Sequence, residues 1–191
     1  MSERIVNVHE QDYGGKHFRS TLEAQTAKTL DEIGVPYDYE TRKIELLEGF
    51  RSPFQKEKVR SITYTPDFII GPIMLECKGF ETPEWKIKKK MLFKWLLENE
   101  PETIFYQSHD SRKQLLQALD HHWSYLGYCI KCTAKKKRQG DITESRLFDS
   151  VEQAMDTLHL KGKPIGAILR SLTGKTQYVY GYKWELVKLK L

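Results

Sequence analysis

The sequence ITYTPDFIIGPIMLECKGF, residues 62–80, decides the fold of this chain. Its two runs of β-branched and apolar residues, 62–71 and 72–80, meet at a Gly-Pro turn and predict a hairpin. Asp67 lies on the first strand and Glu76 on the second, so the two carboxylates can converge at one end of the hairpin. Glu76 and Lys78 are two residues apart and face the same side of their strand.

The chain around this hairpin predicts alternating helices and strands. Ser20 and Glu23 form the capping box of a first helix, which Gly34 ends. The order is α, β, β, β, α, β, α, β, which predicts a mixed-sheet α/β domain over residues 1–133. Its remaining elements are a strand in 35–46, a helix in 86–98, a strand in 102–108, a helix in 111–126 and a strand in 128–133.

The last third of the chain differs in pattern from this domain. Residues 134–146, AKKKRQGDITESR, have no apolar periodicity and predict a basic linker. Residues 147–191 predict a helix from Ser150, a glycine turn, a second helix over 164–172 and a strand over 178–186. Two helices across a short turn are the outline of a helix-turn-helix DNA-binding module.

Composition excludes several classes of protein. A chain of 191 residues has room for one domain and a small appendage. Its hydrophobic share of 39% and aromatic share of 12% argue against disorder. No apolar run approaches the roughly 18 residues of a membrane helix. Three cysteines cannot form a disulfide framework, so we expect a cytoplasmic protein.

The charge is segregated along the chain. Residues 1–130 hold 18 Lys and Arg against 20 Asp and Glu, a balance of −2, whereas residues 131–191 hold 13 against 6, a balance of +7. A positive tail on a nearly neutral body suggests a polyanion partner, and nucleic acid is the first candidate.

The acids of the hairpin suggest a particular chemistry. Mg²⁺ prefers one or two carboxylates together with water and substrate phosphate, and a neighbouring lysine can orient the attacking water. Both acids lie within apolar strands, where a charge is costly unless it is paired or bound to metal. The alternative is structural, because a carboxylate and a lysine two apart are common on exposed strand faces.

Four blocks of this sequence carry a resemblance to a known family. They are FRSTLE at 18–23, GVPYDYE at 34–40, YTPDF at 64–68 and ECKG at 76–79. In this order they resemble the phage endonuclease I group of PD-(D/E)XK nucleases over residues 18–107. That resemblance implies a phage protein in a bacterial host. It also implies an active site of Glu23, Asp67, Glu76 and Lys78, with Mg²⁺ or Mn²⁺ held by the three carboxylates.

The same resemblance implies a homodimer that exchanges elements through a bridging strand. Each site would then draw Glu23 from one chain and the other active-site residues from its partner. The segment between Glu40 and Tyr64 departs from the family because it is longer and carries Gly49 and Pro53, so exchange within the dimer stays open.

Basic and polar residues outside the hairpin are candidates for contact with DNA. The tail carries LFDS at 147–150 before its first helix, Glu152 and Ala154 within that helix, a second helix over 165–172, GK at 174–175 and GYKW at 181–184. These features resemble the small modular repeats of intron-encoded homing nucleases, in which the second helix enters the major groove. The candidates, with a solvated surface as the alternative, are Lys86, Lys89 and Lys90 on the helix after the hairpin, Lys135, Lys136, Lys137 and Arg138 in the linker, and Lys161, Lys163, Arg170, Ser171, Lys175 and Gln177 in the tail.

Cysteine and histidine residues offer a second metal hypothesis. Cys129 and Cys132 have zinc-like spacing, but a zinc site wants four ligands and the sequence has no second pair. Two buried strand thiols are the interpretation that we favour. His109, His121 and His122 are interpreted as structural.

These observations predict a metal-dependent DNA endonuclease that is site-specific, of the homing type, and acts on double-stranded DNA. We expect no membrane partner. A groove-reading module is useful chiefly for sequence recognition. The first alternative is a structure-selective Holliday-junction resolvase whose tail adds affinity. The second is a catalytically inert DNA-binding regulator.

Overall fold

The computed structural model describes residues 9–108, 112–135, 144–174 and 176–189. In chain order its elements are β1 (Gln11–Tyr13), β2 (Lys16–Phe18), α1 (Thr21–Ile33), β3 (Asp38–Tyr39), β4 (Ile44–Leu47), β5 (Ile62–Tyr64), β6 (Phe68–Ile70), β7 (Ile73–Cys77), α2 (Pro83–Asn99), β8 (Ile104–Ser108), α3 (Arg112–Asp120), β9 (Tyr128–Ala134), β10 (Ser145–Phe148), α4 (Val151–Thr157), α5 (Ile165–Ser171) and β11 (Tyr182–Lys188). The protein is therefore mixed α/β, as predicted.

These elements form two compact units, one of residues 1–36 with 110–191 and one of residues 37–109. The predicted division into a domain of residues 1–133, a linker of 134–146 and a module of 147–191 follows different boundaries and stays a prediction. Among the described residues, no helix has the length and apolar character needed to cross a membrane.

The unit of residues 37–109 is built on a mixed sheet with the strand order β3-β6-β7-β8. β6 and β7 form the predicted antiparallel hairpin, with Phe68 opposite Leu75. β8 runs parallel to β7 and places Gln107 beside Glu76. The sheet therefore has both antiparallel and parallel neighbours, which confirms the predicted mixed sheet.

The single strand predicted over residues 35–46 is wrong. The segment forms two short strands in different sheets, since β3 pairs with β6 and β4 pairs with β5. Between them, Glu40 has a left-handed backbone with φ 49°, which interrupts the extended run. The predicted strand 62–71 is likewise divided, because β5 belongs to the β4–β5 pair and β6 to the mixed sheet.

The β4–β5 hairpin and α2 enclose the core of this unit. Thr82 caps α2 by accepting the backbone N–H of Trp85, and Pro83 occupies the first turn, where no donor is needed. In the hairpin, a Cβ at Gly49 would stand 3.0 Å from Ser61 N and from Val59 O, so this close approach requires glycine. The buried residues of the core are Ile44, Tyr64, Met74, Trp85, Leu92 and Leu96.

The second unit begins with a hairpin of β1 and β2 that the sequence analysis did not predict. α1 follows and confirms the predicted capping box, because Ser20 Oγ accepts the N–H of Glu23 over 3.2 Å. The helix ends at Gly34, which is left-handed at φ 70°.

The unit also contains a three-stranded antiparallel sheet with β9 between β10 and β11. At the two ends of the predicted linker, Ala134 is the last residue of β9 and Ser145 is the first residue of β10. Residues 136–143 lie outside the described part. α3 ends at Asp120 instead of residue 126, and a series of turns leads from there to β9.

A buried carboxylate joins α3 to the helices of the tail. Asp120, 1% exposed, accepts the N–H of Val151 over 2.9 Å and that of Glu152 over 3.3 Å at the start of α4. It also accepts Trp123 Nε1–H over 2.9 Å. α4 and α5 then pack together with Ile168 and Leu169 buried. The two tail helices occur where they were predicted.

Candidate active site

The hairpin register places the two predicted acids opposite each other. Phe68 is paired with Leu75, so one step further along the antiparallel strands Asp67 faces Glu76. Residues that face each other across such a pair present their side chains on the same face of the sheet. The N–H of Cys77 donates to Asp67 Oδ2 over 2.6 Å, which fixes this carboxylate against the second strand. The N–H of Glu40 donates to the Asp67 carbonyl over 3.0 Å from the other side.

Glu76 is a buried carboxylate, 6% exposed. The hydroxyl of Tyr64 donates to Glu76 Oε2 over 2.8 Å, which offsets part of the cost of burying the charge. Burial raises the pKa of Tyr64, and the negative charge of Glu76 raises it further. Tyr64 therefore stays protonated at neutral pH and remains a donor.

Lys78 lies between this carboxylate and an aromatic ring. Its Nζ is 4.0 Å from Glu76 Oε1 and 5.5 Å from the centre of the Trp85 ring. A cation over the face of a tryptophan is attracted by the ring, so Trp85 restricts where the ammonium can stand. The rings of Tyr64 and Trp85 are themselves 5.7 Å apart. One aromatic pair thus positions both Glu76 and Lys78.

A polar network on the neighbouring elements holds Trp85. Its Nε1–H donates to Gln107 Oε1 over 3.1 Å, and Lys89 Nζ donates to the same oxygen over 3.2 Å. Gln107 Nε2 donates to Glu81 Oε1 over 3.0 Å, and Glu81 also pairs with Lys89. Since Gln107 is the neighbour of Glu76 in the parallel register, this network borders the candidate site.

The donor set of this site fits a hard divalent cation. Asp67 and Glu76 offer carboxylate oxygens on one face, and Mg²⁺ commonly takes one or two carboxylates and completes its shell with water and phosphate. No group of three or more His, Cys, Asp or Glu side chains that could hold a metal occurs within the described ranges. The pair of acids is thus the feature that fits the predicted Mg²⁺ or Mn²⁺.

Glu23, the fourth predicted active-site residue, belongs to the other compact unit. It is buried, and its carboxylate completes the capping box of α1. Arg19 N–H donates to Oε2 over 3.0 Å, and the Ser20 hydroxyl donates to Oε1 over 2.7 Å. The structure therefore brings Asp67, Glu76 and Lys78 together within one unit, and the catalytic role of Glu23 stays a prediction.

The three lysines predicted to contact DNA from α2 differ in their surroundings. Lys86 and Lys90 are exposed. Lys89 is half-buried and is tied to Glu81 and Gln107. The Lys89 ammonium thus belongs to the network beside Trp85, and its contact with phosphate stays a prediction.

The predicted contacts of the tail also differ. Lys135, Lys161, Lys163, Arg170 and Gln177 are exposed. Ser171 is 2% exposed and its hydroxyl donates to the carbonyl of Ile168 over 2.7 Å. A contact between this buried residue and DNA stays a prediction. The predicted contacts Lys136, Lys137, Arg138 and Lys175 lie outside the described residues.

The two cysteines of β9 are buried thiols, as the favoured interpretation predicted. Burial raises the pKa of Cys132 to about 11 and also raises that of Cys129. His121 stands 3.8 Å from the Glu152 carboxylate, and burial lowers the pKa of His122. His109 lies outside the described residues.

Sequence reasoning missed the residues that position the site. Tyr64 was noted within the YTPDF block but was given no role, and Trp85 belongs to none of the quoted blocks. Gln107 and Glu81 carry no motif of their own. The parallel register of β7 and β8, which no local pattern shows, is what places Gln107 beside Glu76.

The fold and the site define a mixed α/β protein with an Asp-Glu-Lys cluster on one sheet. A sequence model of the family described as phage endonuclease I matches residues 6–139, which is more than half of the chain. The chain belongs to the phage endonuclease I family. Membership implies endonuclease activity and a DNA substrate. No curated protein and no solved structure matches the chain.

Proposed function

We propose that this chain is a metal-dependent DNA endonuclease with a PD-(D/E)XK core. Asp67 and Glu76 would hold Mg²⁺ or Mn²⁺, Glu23 would supply a further carboxylate, and Lys78 would act on the attacking water and the phosphate. The observation that carries this proposal is the Tyr64–Glu76–Lys78 arrangement, in which a buried acid and a lysine are both held in place beside Asp67.

The residues of the site have distinct roles in this proposal. A bound Mg²⁺ would polarise the phosphoryl group and stabilise the leaving oxygen. The Tyr64 hydroxyl orients the Glu76 carboxylate through a hydrogen bond. The backbone N–H of Cys77 orients the Asp67 carboxylate in the same way. Lys78 contributes a positive charge beside the phosphate, and Trp85 holds that charge at a fixed position. Fixed donors and charges stabilise a transition state without reorganisation.

We propose that the protein acts as a homodimer, since cutting both strands of DNA calls for two sites. The β4–β5 hairpin exposes Phe50 and Phe54, the latter 95% exposed. In this proposal these exposed aromatic side chains are candidates for the contact between the two chains. Glu23 would complete the site either within one chain or across the dimer.

The tail, in this proposal, is a helix-turn-helix module that binds double-stranded DNA. Arg170 projects from α5 into solvent, and Lys163 and Gln177 flank that helix. A nuclease core with a DNA-reading tail supports a site-specific enzyme of the homing type.

One observation favours a second candidate, the structure-selective Holliday-junction resolvase. Among the residues of α5, only Arg170 is an exposed polar side chain, because Ser171 is buried. A single groove contact from the reading helix would give limited sequence discrimination, roughly 1–3 kcal/mol for a good bidentate pair. A tail of this kind suits backbone contacts and added affinity.

One experiment tests both candidates. A random-site duplex library and a four-way junction are incubated in parallel with the protein and Mg²⁺, and the cut positions are sequenced. Cutting confined to particular duplex sites supports the homing-type enzyme, and cutting of the junction alone supports the resolvase. An absence of cutting in both substrates contradicts the proposed nuclease.

A further inference from the structure

A tight turn in the tail organises two lysines that are distant in the sequence. Residues 179–182 form a two-residue hairpin turn, in which Val179 N–H donates to Tyr182 O over 2.8 Å and Tyr182 N–H donates to Val179 O over 3.0 Å. Tyr180 and Gly181 both have positive φ, 52° and 87°. Turns with two positive φ values normally use asparagine, aspartate or glycine at the first position. A tyrosine there is strained, and such strain points to a function of its side chain.

The side chain of Tyr180 contacts the loop before α5. Its hydroxyl donates to the carbonyl of Pro164 over 3.2 Å, and Lys163 Nζ lies 5.8 Å from the centre of its ring. On the other side of the turn, Lys135 N–H donates to Gly181 O over 2.8 Å. The Nζ of Lys135 lies 5.4 Å from the centre of the Tyr178 ring. Both lysines are thus anchored to the same turn.

Lys135 and Lys163 differ from two neighbouring lysines, whose positive charges are paired with carboxylates. Lys161 pairs with Asp156 over 3.6 Å, and Lys183 pairs with Glu185 over 2.7 Å. Within the part of the chain that the structure describes, no carboxylate pairs with Lys135 or Lys163. A tyrosine ring attracts an ammonium without cancelling its charge. The two lysines are therefore held in place while they remain available to an anion.

We propose that Lys135 and Lys163 form a phosphate clamp that binds the backbone of duplex DNA, with Tyr178 and Tyr180 as its positioning residues. This inference rests on the proposed function and deepens it by assigning the backbone contacts of the tail. Because Tyr180 also bonds to the residue before α5, the clamp fixes this helix relative to the bound phosphates. Phosphate contacts set the register and orientation of a protein on DNA.

The test measures binding of a short duplex in EDTA, so that cleavage is not required, over a range of salt concentrations. Each lysine that contacts a phosphate contributes about 0.9 to the slope of log K against log salt. Lys135→Gln and Lys163→Gln should each lower the magnitude of the slope by about 0.9. Lys183→Gln is the matched control that removes the same charge from an ammonium paired with Glu185, and it should leave the slope almost unchanged. An equal change in all three variants would overturn the clamp.

Tyr180→Gly tests the positioning role. Glycine is well suited to the left-handed turn, so this variant should keep its fold, as circular dichroism can verify. We expect about two- to fivefold weaker binding with an unchanged salt slope, because the charges remain and only the ring is lost. An unchanged affinity for the duplex would overturn the positioning role of the Tyr180 ring. A wild-type protein that binds duplex in EDTA but never cuts it with Mg²⁺ would contradict the nuclease and still support the clamp.

Discussion

The Tyr64 hydroxyl donates to Glu76 Oε2 over 2.8 Å, so a buried tyrosine holds one of the two facing carboxylates of the site. The same tyrosine packs against Trp85, whose ring lies under the Lys78 ammonium. The acid and the lysine are therefore positioned by one pair of rings. A change in either ring should affect metal binding and catalysis even though neither ring is a ligand.

The first prediction follows from this hydrogen bond. Tyr64→Phe removes the donor and keeps the ring, so the fold should be retained while Glu76 loses its fixed orientation. Loss of a partner that orients a metal ligand commonly costs about 10–100-fold in affinity or activity. We expect calorimetric Mg²⁺ affinity and cleavage both to fall in this range. Tyr106→Phe, the same change on β8, is the matched control and should have little effect. Equal metal affinity in the wild type and Tyr64→Phe would contradict the positioning role.

The second prediction concerns the cluster itself. Asp67→Ala, Glu76→Ala and Lys78→Ala should each abolish cleavage, a loss of at least about 1,000-fold, or roughly 4 kcal/mol of transition-state stabilisation. DNA binding, measured by fluorescence anisotropy, should stay nearly intact because the tail is unchanged. Glu45→Ala, at an exposed acid on β4, controls for loss of a carboxylate. Activity within a fewfold of wild type at saturating Mg²⁺ in any of the three would refute that residue's assignment.

Local sequence patterns predicted the elements that carry the site. The hairpin of β6 and β7 follows from two apolar runs and a Gly-Pro turn, and the start of α1 follows from the Ser20–Glu23 capping box. Both are short-range features, for which neighbouring residues determine the conformation. The facing positions of Asp67 and Glu76 then follow from the hairpin alone.

Long-range pairing could not be predicted in the same way. β9 lies between β10 and β11, so the boundary expected near residue 133 falls at the end of a central strand. A chain shortened to Lys131 would cut through β9 and expose its partners. Point substitutions in the tail are for this reason a better test of DNA recognition than truncation. The burial of Ser171 could not be predicted from the sequence either, because it depends on how α5 packs against its neighbours.

The third prediction tests exchange between chains. Glu23→Ala and Asp67→Ala proteins, each inactive alone, are refolded together and assayed for cleavage. If Glu23 acts across the dimer, random pairing should restore roughly a quarter of the wild-type sites, because half of the dimers are mixed and each has one intact site. Recovery at this level would show that each site draws Glu23 from the partner chain. No recovery, with mixed dimers verified by mass spectrometry, would place each complete site within a single chain.

The fourth prediction concerns pH and the buried Asp120. Burial raises the pKa of this carboxyl above its ordinary value of 3.8, although three N–H donors act in the opposite direction. The folded protein therefore keeps the Asp120 proton to higher pH than the unfolded chain does. Stability from this group is fully present below pH 3.8 and is lost as pH rises through the folded pKa.

Urea unfolding of the wild type and Asp120→Asn between about pH 3.5 and 6.5 measures this effect. The free energy of unfolding of the wild type, relative to the variant, should fall as pH rises, by about 1.4 kcal/mol for each unit of pKa shift. Asp149→Asn, at an exposed residue beside the same helix, is the control. A wild-type advantage that grows with pH would contradict the assigned direction.

The most direct test of the central claim is cleavage of supercoiled plasmid and four-way junction DNA with Mg²⁺ by the wild type and Lys78→Ala, with DNA binding measured for both. We predict that the wild type cuts at least one substrate, that EDTA stops this cutting, and that Lys78→Ala binds DNA with nearly normal affinity but does not cut it. Cutting by Lys78→Ala at the wild-type rate, or cutting by the wild type that persists in EDTA, would contradict the proposed metal-dependent site.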